Sequence, residues 1–129
     1  MISQQNILFA GSSLFSLRPL EAIMGLGFKS VSVLTQPNKK QGRGLKQKTN
    51  PLMDLALDMG LEVFSYGSLK ERNAEQDIMG ISPDVLLTVS YGQIIPKEVL
   101  KLFSHDVLNI HPSLLPLWRG ASPIQSAIL

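Results

Sequence analysis

The chain has 129 residues, 44% hydrophobic and 17% charged, which is enough for one domain with its own core and too apolar for a disordered segment. It contains no cysteine, excluding disulfides and thiolate metal sites, and no apolar run near the ~20 residues that span a bilayer. The net charge of +2 is unevenly held: Gln36 to Met53 carries five cations and no acid, and the rest of the chain has seven cations against ten acids. The N-terminal MISQQN lacks the basic region of a secretory signal, so a cytoplasmic location without membrane contact is expected.

Asn6 to Ala10 (NILFA) reads as a buried first strand, ended by Gly11. Ser12 or Ser13 caps the turn that follows, and Pro19 suits the first turn of a helix running to about Leu26, with Gly27 stopping it. Val31 to Thr35 is a second strand, and the basic stretch follows it as a loop. Asn50-Pro51 pairs a capping residue with proline at the first helical position, and Leu52, Leu55, Ala56 and Met59 share one helical face closed by Gly60.

Leu61 to Phe64 reads as a short strand, and Ser68 with Glu71 as the capping box of a helix reaching about Met79. Asp84 to Ser90 is a strong buried strand, Pro96 to Leu102 a short helix, and the segment from Asp106 a last strand that breaks into a proline-punctuated loop. Pro123 opens an apolar helix in which the chain stops, the pattern of a truncated domain. Strands alternate with helices and are rich in Val, Ile and Leu. The expected fold is α/β, a Rossmann-like, doubly wound, mostly parallel sheet with helices on both faces.

Gly11 stands alone after the first strand, so the chain has neither G-x-G-x-x-G nor a Walker-type Gly-Lys-Ser/Thr, and NAD or ATP binding is not expected. Asn109 and His111 lie two residues apart at the end of a strand, on one face of it, where open α/β sheets bind ligands. A histidine before proline can merely bond backbone in a turn. Beside an amide, with Ser113 and Arg119 in the same loop, it also offers the groups that a tetrahedral oxyanion needs: a donor for developing charge and an imidazole for proton transfer. Such an imidazole needs a carboxylate partner, and Asp106 sits at the wrong end of the strand. His105 and His111 are the only histidines and stand at opposite ends of that strand, so no metal is expected. The basic loop, with Gly42 and Gly44 flanking Arg43, is either a solvated connection or a polyanion contact.

Four segments together carry a family resemblance: ILFAGSSLFSLRPLEA, TQPNKKQGRG, VSYGQIIP and LNIHPSLLPLWRGASPIQ. In order and spacing, from about Asn6 onward, they resemble the methionyl-tRNA formyltransferases. The last segment is similar to a signature common to folate-dependent formyltransferases, and the TQP…GRG loop to that of the tRNA enzymes. The resemblance implies an enzyme that transfers the formyl group of 10-formyltetrahydrofolate to initiator methionyl-tRNA, monomeric when full length. It implies a catalytic role for Asn109 and His111, and a folate pocket of Ser113, Leu114, Leu115 and Pro116 with Tyr91, Gly92 and Ile94. Arg43 would enter the tRNA acceptor stem, with Lys39, Lys40, Lys46 and Lys48 on phosphates.

By the same resemblance, residues 1–129 form an incomplete N-terminal catalytic domain. The catalytic aspartate lies downstream and the tRNA-binding C-terminal barrel is absent, so the 129 residues alone are expected to be inactive. Their open apolar helix is expected to make them self-associate. A formyltransferase for a small amine such as a nucleotide sugar, and a non-catalytic folate- or RNA-binding remnant, are the alternative readings.

Overall fold

A computed structural model describes residues 4–37, 39–41, 46–48 and 50–110. Its centre is β1 (Asn6–Gly11), a run whose side chains are buried on both sides from Ile7 onward, as a strand between helical layers must be. β2 (Ser30–Thr35), β5 (Val63–Ser65), β6 (Val85–Val89) and β7 (Asp106–Ile110) complete a five-stranded sheet in the order β5-β2-β1-β6-β7. Every pairing in it is parallel. The fold is therefore the expected Rossmann-like α/β sheet.

Strand alternation assigns the two faces. Ile7, Phe9, Val33 and Val89 pack against Leu20 and Ile23 of α1 (Leu17–Met24) and against Leu52 and Ala56 of α2 (Pro51–Asp58). Leu8, Ala10, Leu34, Leu86 and Val107 point the other way, toward Ala74 and Ile78 of α3 (Arg72–Gly80) and Val99 of α4 (Lys97–Leu100). Helices cover both faces. The chain crosses from one half of the sheet to the other between β5 and β6, which makes the gap between β1 and β6 the topological switch point.

Several local readings hold. Ser13 caps a 3-10 turn (Leu14–Ser16) by accepting from the Phe15 N–H at 3.2 Å. The Asn50 side chain accepts from the N–H groups of Leu52 and Met53 to cap α2, and Gly60 takes a φ of 75° just beyond it.

Others need correction. β5 is Val63–Ser65, not Leu61 to Phe64: Leu61 and Glu62 form the approach, where the Glu62 carbonyl accepts from the Val33 N–H at 2.9 Å. Ser68 does not cap α3. The Glu71 carboxylate accepts from the Ser68 N–H at 3.1 Å, but this closes a separate turn, and Glu71 itself stands at the N-cap of a helix beginning at Arg72. The basic stretch is not simply a loop, since β3 (Lys39–Gln41) and β4 (Lys46–Lys48) pair antiparallel, Lys39 opposite Lys48. The helix expected from Pro123 lies outside the described residues.

Candidate functional site

The carboxyl ends of β1 and β6 meet at the switch point, where Gly11 pairs with Val89. Gly11 has no room for a side chain: a Cβ would stand 2.7 Å from Ser16 Cβ and 2.8 Å from the Val89 carbonyl oxygen. The missing side chain therefore lets the end of β1 lie against Ser16 and the end of β6. On the β6 side the chain leaves the sheet through Ser90 and Gly92, both at positive φ, 54° and 85°. A serine in the left-handed region costs about 1–3 kcal/mol and persists only when its surroundings enforce it.

The surroundings here are three polar side chains. The Ser12 hydroxyl faces the carbonyls of Ser90 at 3.0 Å and Tyr91 at 2.8 Å. Gln36, just past the end of β2, donates its amide to the same Tyr91 carbonyl at 2.6 Å. Asn50 donates to the Gln36 carbonyl at 2.8 Å and to the buried Thr35 hydroxyl at 2.6 Å. The ends of β1, β2 and β6 and the start of α2 are thus joined by one network around the 90–92 turn.

The sequence did not single out Ser12 for contacts of this kind, nor Gln36 at all. The only available signal was that both are polar residues immediately past buried strands, at the ligand-binding end of the sheet.

Tyr91 is buried within the core on the α3 side and its hydroxyl donates to Gln93 at 3.3 Å; burial pushes its phenol pKa up, so the ring stays neutral. Further along this segment Gly92 is exposed, and Ile94 is 87% exposed. Asn109 lies one residue before the end of β7, paired with Thr88, on the face of Val107. It is half-buried and stands at the same end of the sheet as the 90–92 turn.

His111, Ser113, Leu114, Leu115 and Pro116 lie outside the described residues, as does Arg43. Lys39, Lys40, Lys46 and Lys48 lie on the paired strands β3 and β4, which in the chain follow Gln36 and precede Asn50, two residues joined by a hydrogen bond. Among the described residues no group of three or more His, Asp or Glu side chains could hold a metal ion, and no helix is long and apolar enough to cross a membrane.

The fold is that of a Rossmann-like α/β domain, with the Ser12, Gln36 and Asn50 network at the carboxyl ends of the strands that flank its switch point. A sequence profile of the formyl transferase family matches residues 7–129, and the chain belongs to that family. It is 45% identical to a methionyl-tRNA formyltransferase of Marinobacter nauticus over 95% of this chain and 40% of that protein. It is 40% identical to that of Dehalococcoides mccartyi over 99% and 41%. The chain therefore spans about two-fifths of the length of these relatives.

Among solved structures, the fold is similar to glycinamide ribonucleotide transformylase 1 of Geobacillus kaustophilus, with a TM-score of 0.58, 20% identity, and coverage of 92% of this chain and 63% of that one. A sugar N-formyltransferase of Shewanella aligns with a TM-score of 0.50 and 17% identity over 87% of this chain and 41% of its own.

Proposed function

We propose that this protein transfers a formyl group from 10-formyltetrahydrofolate to the amino group of methionyl-tRNA, as a cytoplasmic monomer. The observation that carries the reading is the position of Asn109, at the carboxyl end of β7 beside the 90–92 turn, in a chain 45% identical to a methionyl-tRNA formyltransferase. The residues present fit a folate. Gly92 is exposed, with the space of its missing Cβ filled by the Gln36 amide, and Ile94 offers an exposed apolar surface, which supports binding of a flat heterocycle. Ser113, Leu114, Leu115 and Pro116 complete that pocket in this reading.

The folate supplies an electrophilic one-carbon unit attached to nitrogen. The Asn109 amide donates to the formyl oxygen as that atom takes on negative charge, an interaction stronger in the transition state than in the ground state. The methionyl nitrogen forms the new N–C bond and the bond between the formyl carbon and the folate nitrogen breaks. His111 accepts the proton lost by the amine and returns one to the departing nitrogen. A carboxylate from beyond Leu129 orients the imidazole. Arg43 engages the acceptor stem, and Lys39, Lys40, Lys46 and Lys48 its phosphates.

The test is formyl transfer by the full-length protein, with methionyl-tRNA, glycinamide ribonucleotide and an amino-sugar nucleotide offered in separate assays. Formylation of methionyl-tRNA alone is the expected result, and none by residues 1–129 by themselves. Turnover of either small amine with none of the tRNA would overturn the assignment.

A further inference from the structure

We propose that Gln36 is a positioning residue that joins the folate-binding turn to the root of the basic hairpin, so that folate and tRNA each tighten the binding of the other. The inference rests on the function proposed above. Gln36 is bound at both ends. Its backbone carbonyl accepts from Asn50 Nδ2 at 2.8 Å, clamping together the two chain segments from which the β3–β4 hairpin leaves the sheet. Its side chain runs the other way, and Nε2 donates to the Tyr91 carbonyl at 2.6 Å.

Contact with the turn is close. A Cβ on Gly92 would lie 2.6 Å from Gln36 Nε2, so the absence of a side chain at 92 is what admits the amide. The turn is sensitive to such a donor because Ser90 holds a positive φ of 54°, which a residue other than glycine retains only under external constraint. Among the described residues Tyr91's carbonyl faces two side-chain donors, Ser12 just past β1 and Gln36 between β2 and β3, and only the second stands on the segment that leads into the hairpin. A polyanion that fixes the hairpin fixes the Gln36 amide, and with it the peptide planes of the turn. By thermodynamic reciprocity, a folate that selects this form of the turn favours the tRNA-competent hairpin by the same factor.

The experiment measures tetrahydrofolate binding by the full-length protein with and without saturating methionyl-tRNA. Tetrahydrofolate carries no formyl group, so nothing turns over. In the wild type, tRNA should tighten folate binding by about five-fold or more. Gln36→Met keeps the side-chain length and removes the donor. It should weaken folate binding by about two- to ten-fold, leave tRNA binding alone unchanged, and bring the coupling to one. Gln36→Glu, which sets an acceptor against the carbonyl, should do the same more severely and provides a second reading of the site. Ser12→Ala is the control: it removes the other donor and should weaken folate binding while leaving the coupling intact. Full coupling in Gln36→Met, or equal coupling losses in Gln36→Met and Ser12→Ala, would overturn the inference alone, as would a wild type that binds both ligands independently. A wild type that binds neither would overturn the proposed function and this inference with it.

Discussion

Asn50 Nδ2 lies 2.6 Å from Thr35 Oγ1, a buried bond joining the end of β2 to the cap of α2. The same side chain accepts from Leu52 N–H at 3.0 Å and Met53 N–H at 3.3 Å. One residue thus terminates a strand and starts a helix. Asn50→Ala removes the cap, worth about 0.5–2 kcal/mol, and strands a buried hydroxyl at a further cost of about 1–3 kcal/mol. Asn50→Asp keeps the cap and should retain most of the first contribution while losing its donors. Urea unfolding of the two variants should therefore rank wild type above Asp above Ala; equal midpoints for Asp and Ala would refute the dual role.

Gly92 is constrained twice, by its φ of 85° and by the Gln36 amide that a Cβ would meet at 2.6 Å. Gly92→Ala should destabilise by about 1–3 kcal/mol. In a double-mutant cycle, Gln36→Ala should relieve the steric part and leave the backbone part, so the double variant is more stable than the sum of the singles predicts. Strict additivity would mean that the two side chains do not meet.

How far these features could be read from the chain depended on the range of the interaction. The β1 run Ile7–Ala10 and the Asn50-Pro51 cap are local patterns, each explained by neighbours a few residues away, and both appear in the structure. The Ser68–Glu71 pair is also local, yet one motif fits both a helix start and an isolated turn, and here it closes a turn before a helix that begins at Arg72. The β3–β4 hairpin has no alternation of apolar residues, so Lys-Lys-Gln facing Lys-Gln-Lys carries no strand signal. Gln36 was out of reach because its partner is 55 positions away, a pairing that only the switch-point topology creates. Of the candidate site, the strand that carries Asn109 was legible, although β7 is less buried than its apolar sequence implied, with Val107 buried and Ile110 37% exposed.

Asp84 ties the amino ends of three strands together. Its carboxylate accepts from the Asn6 N–H at 2.7 Å and the Ser104 hydroxyl at 2.6 Å, and lies 3.5 Å from His105 Nδ1. The Asn6 N–H first, and Ser104 next, hold its pKa below the ordinary 3.8. A depressed carboxyl stabilises the fold fully above its ordinary value and loses that contribution as the pH falls through its native one. Asp84→Asn should accordingly be less stable than wild type at neutral pH, and the two unfolding midpoints should converge in acid. A constant difference down to acid pH would show that the contribution is not ionic.

The basic hairpin can be tested through salt. Lys39, Lys40, Lys46 and Lys48 occupy two short antiparallel strands in which Lys39 is the register partner of Lys48. Each lysine that contacts a phosphate should lower the slope of log affinity against log salt by about one when replaced by Ala. Filter binding of methionyl-tRNA across a salt series measures this. Unchanged slopes in the fourfold variant would place the tRNA elsewhere.

Asn109 offers the most direct test of the chemistry. It is half-buried at the end of β7, beside Thr88, whose hydroxyl donates to the Leu108 carbonyl at 3.4 Å. A side chain placed there to donate to a developing oxyanion contributes mainly in the transition state, so Asn109→Ala should lower kcat by about 10²- to 10³-fold with little change in KM. Asn109→Asp preserves the shape and substitutes an acceptor, and should be at least as damaging. The unfolding midpoint should move little in either, because the residue does not belong to the apolar core. A variant that loses KM and stability together, with kcat intact, would instead assign Asn109 to the scaffold of the pocket.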